Sequence, residues 1–185
     1  MSEIASKGQL RLAFLRWAVV TVPFVVLLGF ASGRLVPSGD DNPWFAQLAK
    51  PDFMPPGWAF GAAWGVLYVL MGLALAVVVN ARGARARGPA LIVFFLQLVL
   101  NLAWTPIFFG MHQVVTALLI IAVLILLVTL TIYLFGRVRR LAGWLLVPYI
   151  LWLCFAGVLL YRIHQLNPDA GSLVVSRPVD QIEIR

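Results

Sequence analysis

Long apolar runs alternate with short polar, basic or proline-rich breaks along this chain. Five runs stand out, at about residues 17–36, 57–80, 89–109, 113–135 and 141–164. A helix rises about 1.5 Å per residue, so about 20 apolar residues cross the roughly 30 Å hydrocarbon core of a bilayer. The pattern predicts an all-α polytopic membrane protein, a bundle of five transmembrane helices over residues 17–167. A basic segment at 1–16 precedes it and a short polar tail at 168–185 follows. The first run, preceded by Lys7, Arg11 and Arg16, also has the layout of a signal peptide, with Ala31-Ser32-Gly33 as a small-residue cleavage site. Its length favours a spanning helix.

The breaks and the polar positions inside the runs carry the rest. Residues 37–56 hold Pro37, Gly39, Pro43, Pro51, Pro55 and Pro56 among Trp44, Phe45, Phe53 and Met54. A 20-residue connection is long for a compact bundle and reads as a lid. In the second run Gly57, Gly61 and Gly65 recur every fourth residue, a stripe that lets another backbone approach closely. The third run carries Gln97, Asn101, Trp104 and Thr105 at offsets that share one helical face. Hydrocarbon offers an amide no partner, so this face is expected to look into a pocket or a helix interface. The fourth run is almost purely aliphatic and is expected to be a lipid-facing wall. The fifth holds Trp144, Pro148, Tyr149, Trp152, Cys154 and Phe155.

Composition narrows the class. Hydrophobic residues make up 62% of the chain, charged residues 11%, and the mean hydropathy is +0.96. Soluble domains carry about 25% charged residues. The net charge of +7 comes from basic residues that flank apolar runs, which argues for membrane topology and against nucleic acid. Nine Lys/Arg share a side with the amino terminus (7, 11, 16, 82, 85, 87, 137, 139, 140) and five lie opposite (34, 50, 162, 177, 185). The positive-inside rule then places the amino terminus in the cytoplasm. The inner membrane of a bacterium is the default for a helical bundle, with the outer membrane as the alternative. The single Cys154 excludes an intrachain disulfide.

The acidic residues (Glu3, Asp40, Asp41, Asp52, Asp169, Asp180, Glu183) all lie outside the predicted spans. An energised transporter normally needs an intramembrane ionisable group, and paired carboxylates for acid–base chemistry are absent too. His112 and His164 sit at helix ends without metal-ligand spacing, and no metal is expected. Trp17, Trp58 and Trp144 lie near helix ends, as interfacial anchors do. Trp64, Tyr68, Asn101 and Trp152 lie deeper, on three helices. They are expected either to converge on a cavity that opens outward beneath the 37–56 loop or to fill the core. Leu130-x2-Tyr133-x3-Arg137 fits a loose sterol-recognition pattern.

Four blocks, one to a segment and in order, point to a family. They are Lys50-Pro51 through Pro55-Pro56-x-Trp58-x-Phe60, Trp64-x3-Tyr68-x2-Met71-Gly72, Gln97-x3-Asn101-x2-Trp104-Thr105-Pro106-x-Phe108-Phe109-Gly110, and Val147-Pro148-Tyr149-x2-Trp152. Over roughly residues 17–167 the chain resembles the tryptophan-rich sensory protein / translocator protein family, the peripheral-type benzodiazepine receptors. The resemblance implies a five-helix bundle, usually a homodimer, with a ligand pocket under the first loop. Its ligands are porphyrins and haem, cholesterol-like lipids and benzodiazepine-type compounds. By position, Trp64, Tyr68, Asn101, Thr105 and Trp152 match pocket residues of the family, with Phe60 and Phe155 in the same region. A porphyrin or haem would be a ligand, and no cofactor is required. The expected function is a receptor or sensor for a tetrapyrrole that regulates tetrapyrrole or stress responses. Alternatives are a porphyrin or sterol transporter and a light-dependent porphyrin-degrading enzyme using Trp64 and Trp152. The chain departs from the family pattern at Asp52-Phe53, Gly65 and Leu160.

Overall fold

A computed structural model of the chain describes residues 7–173. The last twelve residues of the tail and the first six of the basic segment lie outside the described residues. The elements are α1 (Lys7–Gly33), α2 (Pro43–Gln47), α3 (Gly57–Asn80), α4 (Arg87–Thr105), α5 (Val114–Val138), α6 (Arg140–Trp144) and α7 (Val147–Leu166). A π-helical turn, Pro106–Gly110, extends α4. Among the described residues, five helical segments are long and apolar enough to cross a membrane, with α6 and α7 counted as one.

α1 starts ten residues before the predicted span, so Arg11 and Arg16 ride on its first turns. The fifth run is broken at Leu145-Leu146, ahead of Pro148 in the first turn of α7. Proline disfavours helical geometry in the residue before it and cannot donate to the preceding turn, which explains the interruption.

The spans close into a ring in which α1 packs on α3, α3 on α6, α7 on α5, α5 on α4 and α4 back on α1. The α1–α3 contact is the closest. A Cβ on Gly72 would lie 2.6 Å from the Val22 Cα, and one on Gly29 would overlap the Tyr68 ring. Thr21 Oγ1 donates to the Gly72 carbonyl at 2.8 Å across the same contact. In the Gly57, Gly61 and Gly65 stripe, a Cβ on Gly61 or Gly65 meets nothing within 4 Å. Those two glycines are not packed within the protomer.

The fourth run forms α5, which turns only one of its faces outward. One face, Ala117, Ile121, Leu124, Val128, Thr131 and Phe135, is buried against its neighbours, while Val115, Leu119, Leu126 and Leu130 stay exposed. An all-aliphatic helix shows no polar side to mark which face turns inward.

The 37–56 connection is docked and partly helical. Asn42 caps α2, its side chain accepting from the Phe45 N–H at 3.0 Å. Asn42 Nδ2 also donates to the Pro37 and Phe109 carbonyls. Trp44, 1% exposed, donates to the Ala170 carbonyl at 2.8 Å and stacks on His112 at 4.4 Å. Asn167, just past α7, pairs with the backbone of Ala49 in both directions at 2.9 Å. Together with Leu48, Phe108, Leu159, Leu160 and Ile163 this forms an apolar cap over the lid end of the bundle.

Candidate functional site

A hydrogen-bonded chain of four side chains crosses the interior of the bundle. Tyr68 on α3 donates to Asn101 Oδ1 on α4 at 3.3 Å. Asn101 Nδ2 donates to the Tyr149 hydroxyl on α7 at 3.0 Å. Tyr149 donates onward to Gln97 Oε1 at 3.1 Å. All four residues are buried. The amide face of α4 therefore looks inward, as its spacing predicts. Two amides one helical turn apart are satisfied by phenols from the flanking helices, which removes the penalty of unpaired polar groups at this depth.

Aromatic rings cover this chain on the lid side. Trp64 stacks on Tyr68 with centroids 5.2 Å apart and meets Tyr149 edge-on at 6.1 Å. Trp152 meets Phe60 edge-on at 5.8 Å and Phe155 at 5.4 Å. Phe60, Trp64, Trp152 and Phe155 are half-buried, so part of each ring stays accessible. Trp64 and Trp152 pack on the central core, while Phe60 and Phe155 pack on the lid cap, so the cluster bridges the two.

Six of the seven expected ligand-binding residues fall in two contacting sets, Phe60–Trp152–Phe155 and Trp64–Tyr68–Asn101. Thr105 is the exception. It is half-buried in the last turn of α4 and makes no side-chain hydrogen bond. Tyr149 is the residue that sequence reasoning missed as a site member. It stood in view within Val147-Pro148-Tyr149, with nothing in the spacing to pair it with Gln97 and Asn101. Trp104, on the amide face, donates to the Ala117 carbonyl of α5 at 3.2 Å and serves helix packing.

Open space adjoins the cluster on the bilayer side. A groove of about 380 Å³ between α3 and the start of α7 is lined in part by Trp152. A second cavity, about 360 Å³, lies at the lid end between the start of α5 and the end of α7, lined by His112, Gln113, Thr116 and His164 among others. Among the described residues no three His, Cys, Asp or Glu side chains are grouped to hold a metal ion. Trp58 and Trp144 are 75% and 70% exposed near opposite ends of the bundle, where interfacial anchors belong.

A ring of five spans, a docked lid at one end and an aromatic cluster over a buried amide–phenol chain define a multi-pass membrane protein with an interior built around polar and aromatic groups. The sequence profile of the TspO/MBR family matches residues 19–166, and the chain belongs to that family. It is 37% identical over 142 residues to the tryptophan-rich protein TspO of Chlorobaculum tepidum, covering 76% of this chain and 89% of that one. The tryptophan-rich sensory protein of Cereibacter sphaeroides is 40% identical over 124 residues, 67% of this chain and 77% of its own. The human translocator protein is 37% identical over 141 residues, 75% of this chain and 82% of its own.

Proposed function

We propose that this protein is a membrane receptor or sensor that binds a planar apolar ligand of the tetrapyrrole class, protoporphyrin IX or haem, at the Trp64–Trp152 cluster. The observation that supports this most is that Phe60, Trp152 and Phe155 form one contacting set of half-buried rings, while half-buried Trp64 stacks on Tyr68, whose hydroxyl bonds Asn101. Stacking and dispersion from the rings suit an extended aromatic plane, and the amide–phenol chain supplies polar edges. Tyr68, Asn101 and Tyr149 each donate to a partner within that chain, so a ligand group that reaches these donors competes with an internal bond. This favours a ligand whose binding energy is mostly apolar. Thr105, with its hydroxyl unengaged, would be a free polar contact. The amino terminus is taken as cytoplasmic and the lid end as facing outward.

The test is a dark titration of the purified protein with protoporphyrin IX, followed by tryptophan quenching, then illumination of the same sample. Saturable quenching in the parent, weakened about tenfold or more in Trp64→Ala, is expected when a stacked ring is lost from the contact. Equal affinity in Trp64→Ala and Trp152→Ala would remove the site. Protein-dependent loss of porphyrin absorbance under light would assign an enzymatic role to the same cluster.

A further inference from the structure

Trp152 borders two environments. On one side are Phe60 and Phe155. On the other is the open groove, whose lining is Ala62, Ala63, Val66, Leu67, Pro148 and Trp152. Every one of these side chains is apolar. On α3 they lie five to ten residues in from Gly57, about 8–15 Å along the axis. On α7, Trp152 lies five residues in from Val147. The groove therefore opens at the depth of the hydrocarbon core, where water and headgroups do not reach.

The lid end is closed by contrast. Trp44 is buried and bonded to the Ala170 carbonyl, Asn42 holds the Phe109 carbonyl, and Asn167 grips Ala49 twice. A ligand arriving from water has to break this clasp. A ligand dissolved in the bilayer meets only the apolar side chains of the groove lining. Small residues keep the path open: Ala62 and Ala63 line it, and Gly61 and Gly65 on the same helix meet nothing within 4 Å where a Cβ would stand.

We propose that this groove is the mouth of the site, and that the ligand enters sideways from the bilayer between α3 and the start of α7, edge first, meeting Trp152 before Trp64. The proposal rests on the tetrapyrrole reading above and adds the route and the phase from which the ligand comes. The occupant is a flat apolar molecule partitioned into the hydrocarbon. Trp152 belongs to both the groove and the cluster, so the groove reaches the Trp152 edge of the site.

The experiment uses the full chain in lipid nanodiscs and protoporphyrin IX delivered from loaded vesicles, with tryptophan quenching followed in time. Ala62→Phe and Val66→Phe each fill the groove from a position exposed to lipid, so neither disturbs the core. Both are expected to slow association about tenfold with the saturation level kept, as for a gated approach. Asn167→Ala, which frees the lid, is expected to leave the rate unchanged. Parental rates in both groove variants, or faster association in Asn167→Ala, would overturn lateral entry and leave the site standing. Rates that fall with the fraction of dimer would give the groove to a second copy of the chain instead. Absence of saturable binding in the unaltered protein would remove the tetrapyrrole reading together with the route.

Discussion

Asn101 holds three helices together with one side chain. It accepts from Tyr68 and donates to Tyr149, which in turn donates to Gln97. Hydrogen bonds between membrane helices average about 0.6 kcal/mol and reach about 1.7 kcal/mol, because the separated helices also find partners. Asn101→Leu removes two bonds and strands the buried Tyr68 hydroxyl, while Tyr149 keeps its bond to Gln97, so the expected loss of stability is about 1–3 kcal/mol. Tyr149→Phe keeps the ring but also removes two bonds and leaves Asn101 Nδ2 and Gln97 Oε1 without their phenol partner, so a comparable loss is expected. Unfolding in a denaturing detergent titration measures both. Equal stabilities of parent and Asn101→Leu would mean that the chain contributes nothing to the fold. At this scale the sequence is half legible. An amide in an apolar run announces that it needs a partner, which makes Gln97 and Asn101 readable. The partner is not announced. A tyrosine in a membrane helix is as often an interfacial anchor as a hydrogen-bond donor, and only the packing of α7 against α4 and α5 selects Tyr149. The close-approach glycines follow the same logic. The evenly spaced Gly61 and Gly65 stay open, whereas the isolated Gly29 and Gly72 are the ones a neighbour fills.

The lid is an element in which local sequence and distant contacts play separate parts. Its prolines end the flanking helices and its Asn42-Pro43 pair starts α2, with the asparagine as cap and the proline in the first turn. Those features are visible in residues 37–56. The docking is not, because Trp44 reaches Ala170 and Ala49 reaches Asn167 across more than one hundred residues of chain. The Asn167 side chain makes three hydrogen bonds, two with Ala49 and one to the Ile163 carbonyl at 2.8 Å. Asn167→Ala removes all three, and at about 0.5–1.5 kcal/mol each the lid should open locally far more often while the helices stay folded. Hydrogen exchange checks this. The Ala49 amide should lose about tenfold or more of its protection, with amides of α5 unchanged. Uniform loss across lid and helices would instead make the lid part of one cooperative unit. The fifth span teaches a related lesson. Pro148 is plain in the sequence, but a proline inside an apolar run is compatible with a kinked helix as well as a break. The interruption at Leu145-Leu146 is settled by the packing of α6 on α3 and α5.

For the whole molecule, the five spans and their basic connections were legible because hydrocarbon thickness and helix rise fix the run length. The order of the helices around the ring was not, since apolar faces carry no address beyond shape. Orientation rests on charge alone. Nine Lys/Arg fall on the side of the α3–α4 and α5–α6 connections and five on the lid side. Positive segments tend to be retained in the cytoplasm during insertion, and this asymmetry is the ground for the proposed topology. On that proposal the lid end faces outward, and the cavity lined by His112 and His164 with it. In a Cys154→Ser background, which removes the single native thiol, Ser38→Cys reports the lid end and Arg85→Cys the basic end; both positions are exposed. A membrane-impermeant maleimide added to intact cells, with the outer membrane permeabilised, should label Ser38→Cys at once. Arg85→Cys should react only after the inner membrane is breached. The reverse pattern would invert the protein in its membrane and turn the lid toward the cytoplasm. Even then the groove at Trp152 would open to the same hydrocarbon, so the lateral route and the orientation stand or fall separately.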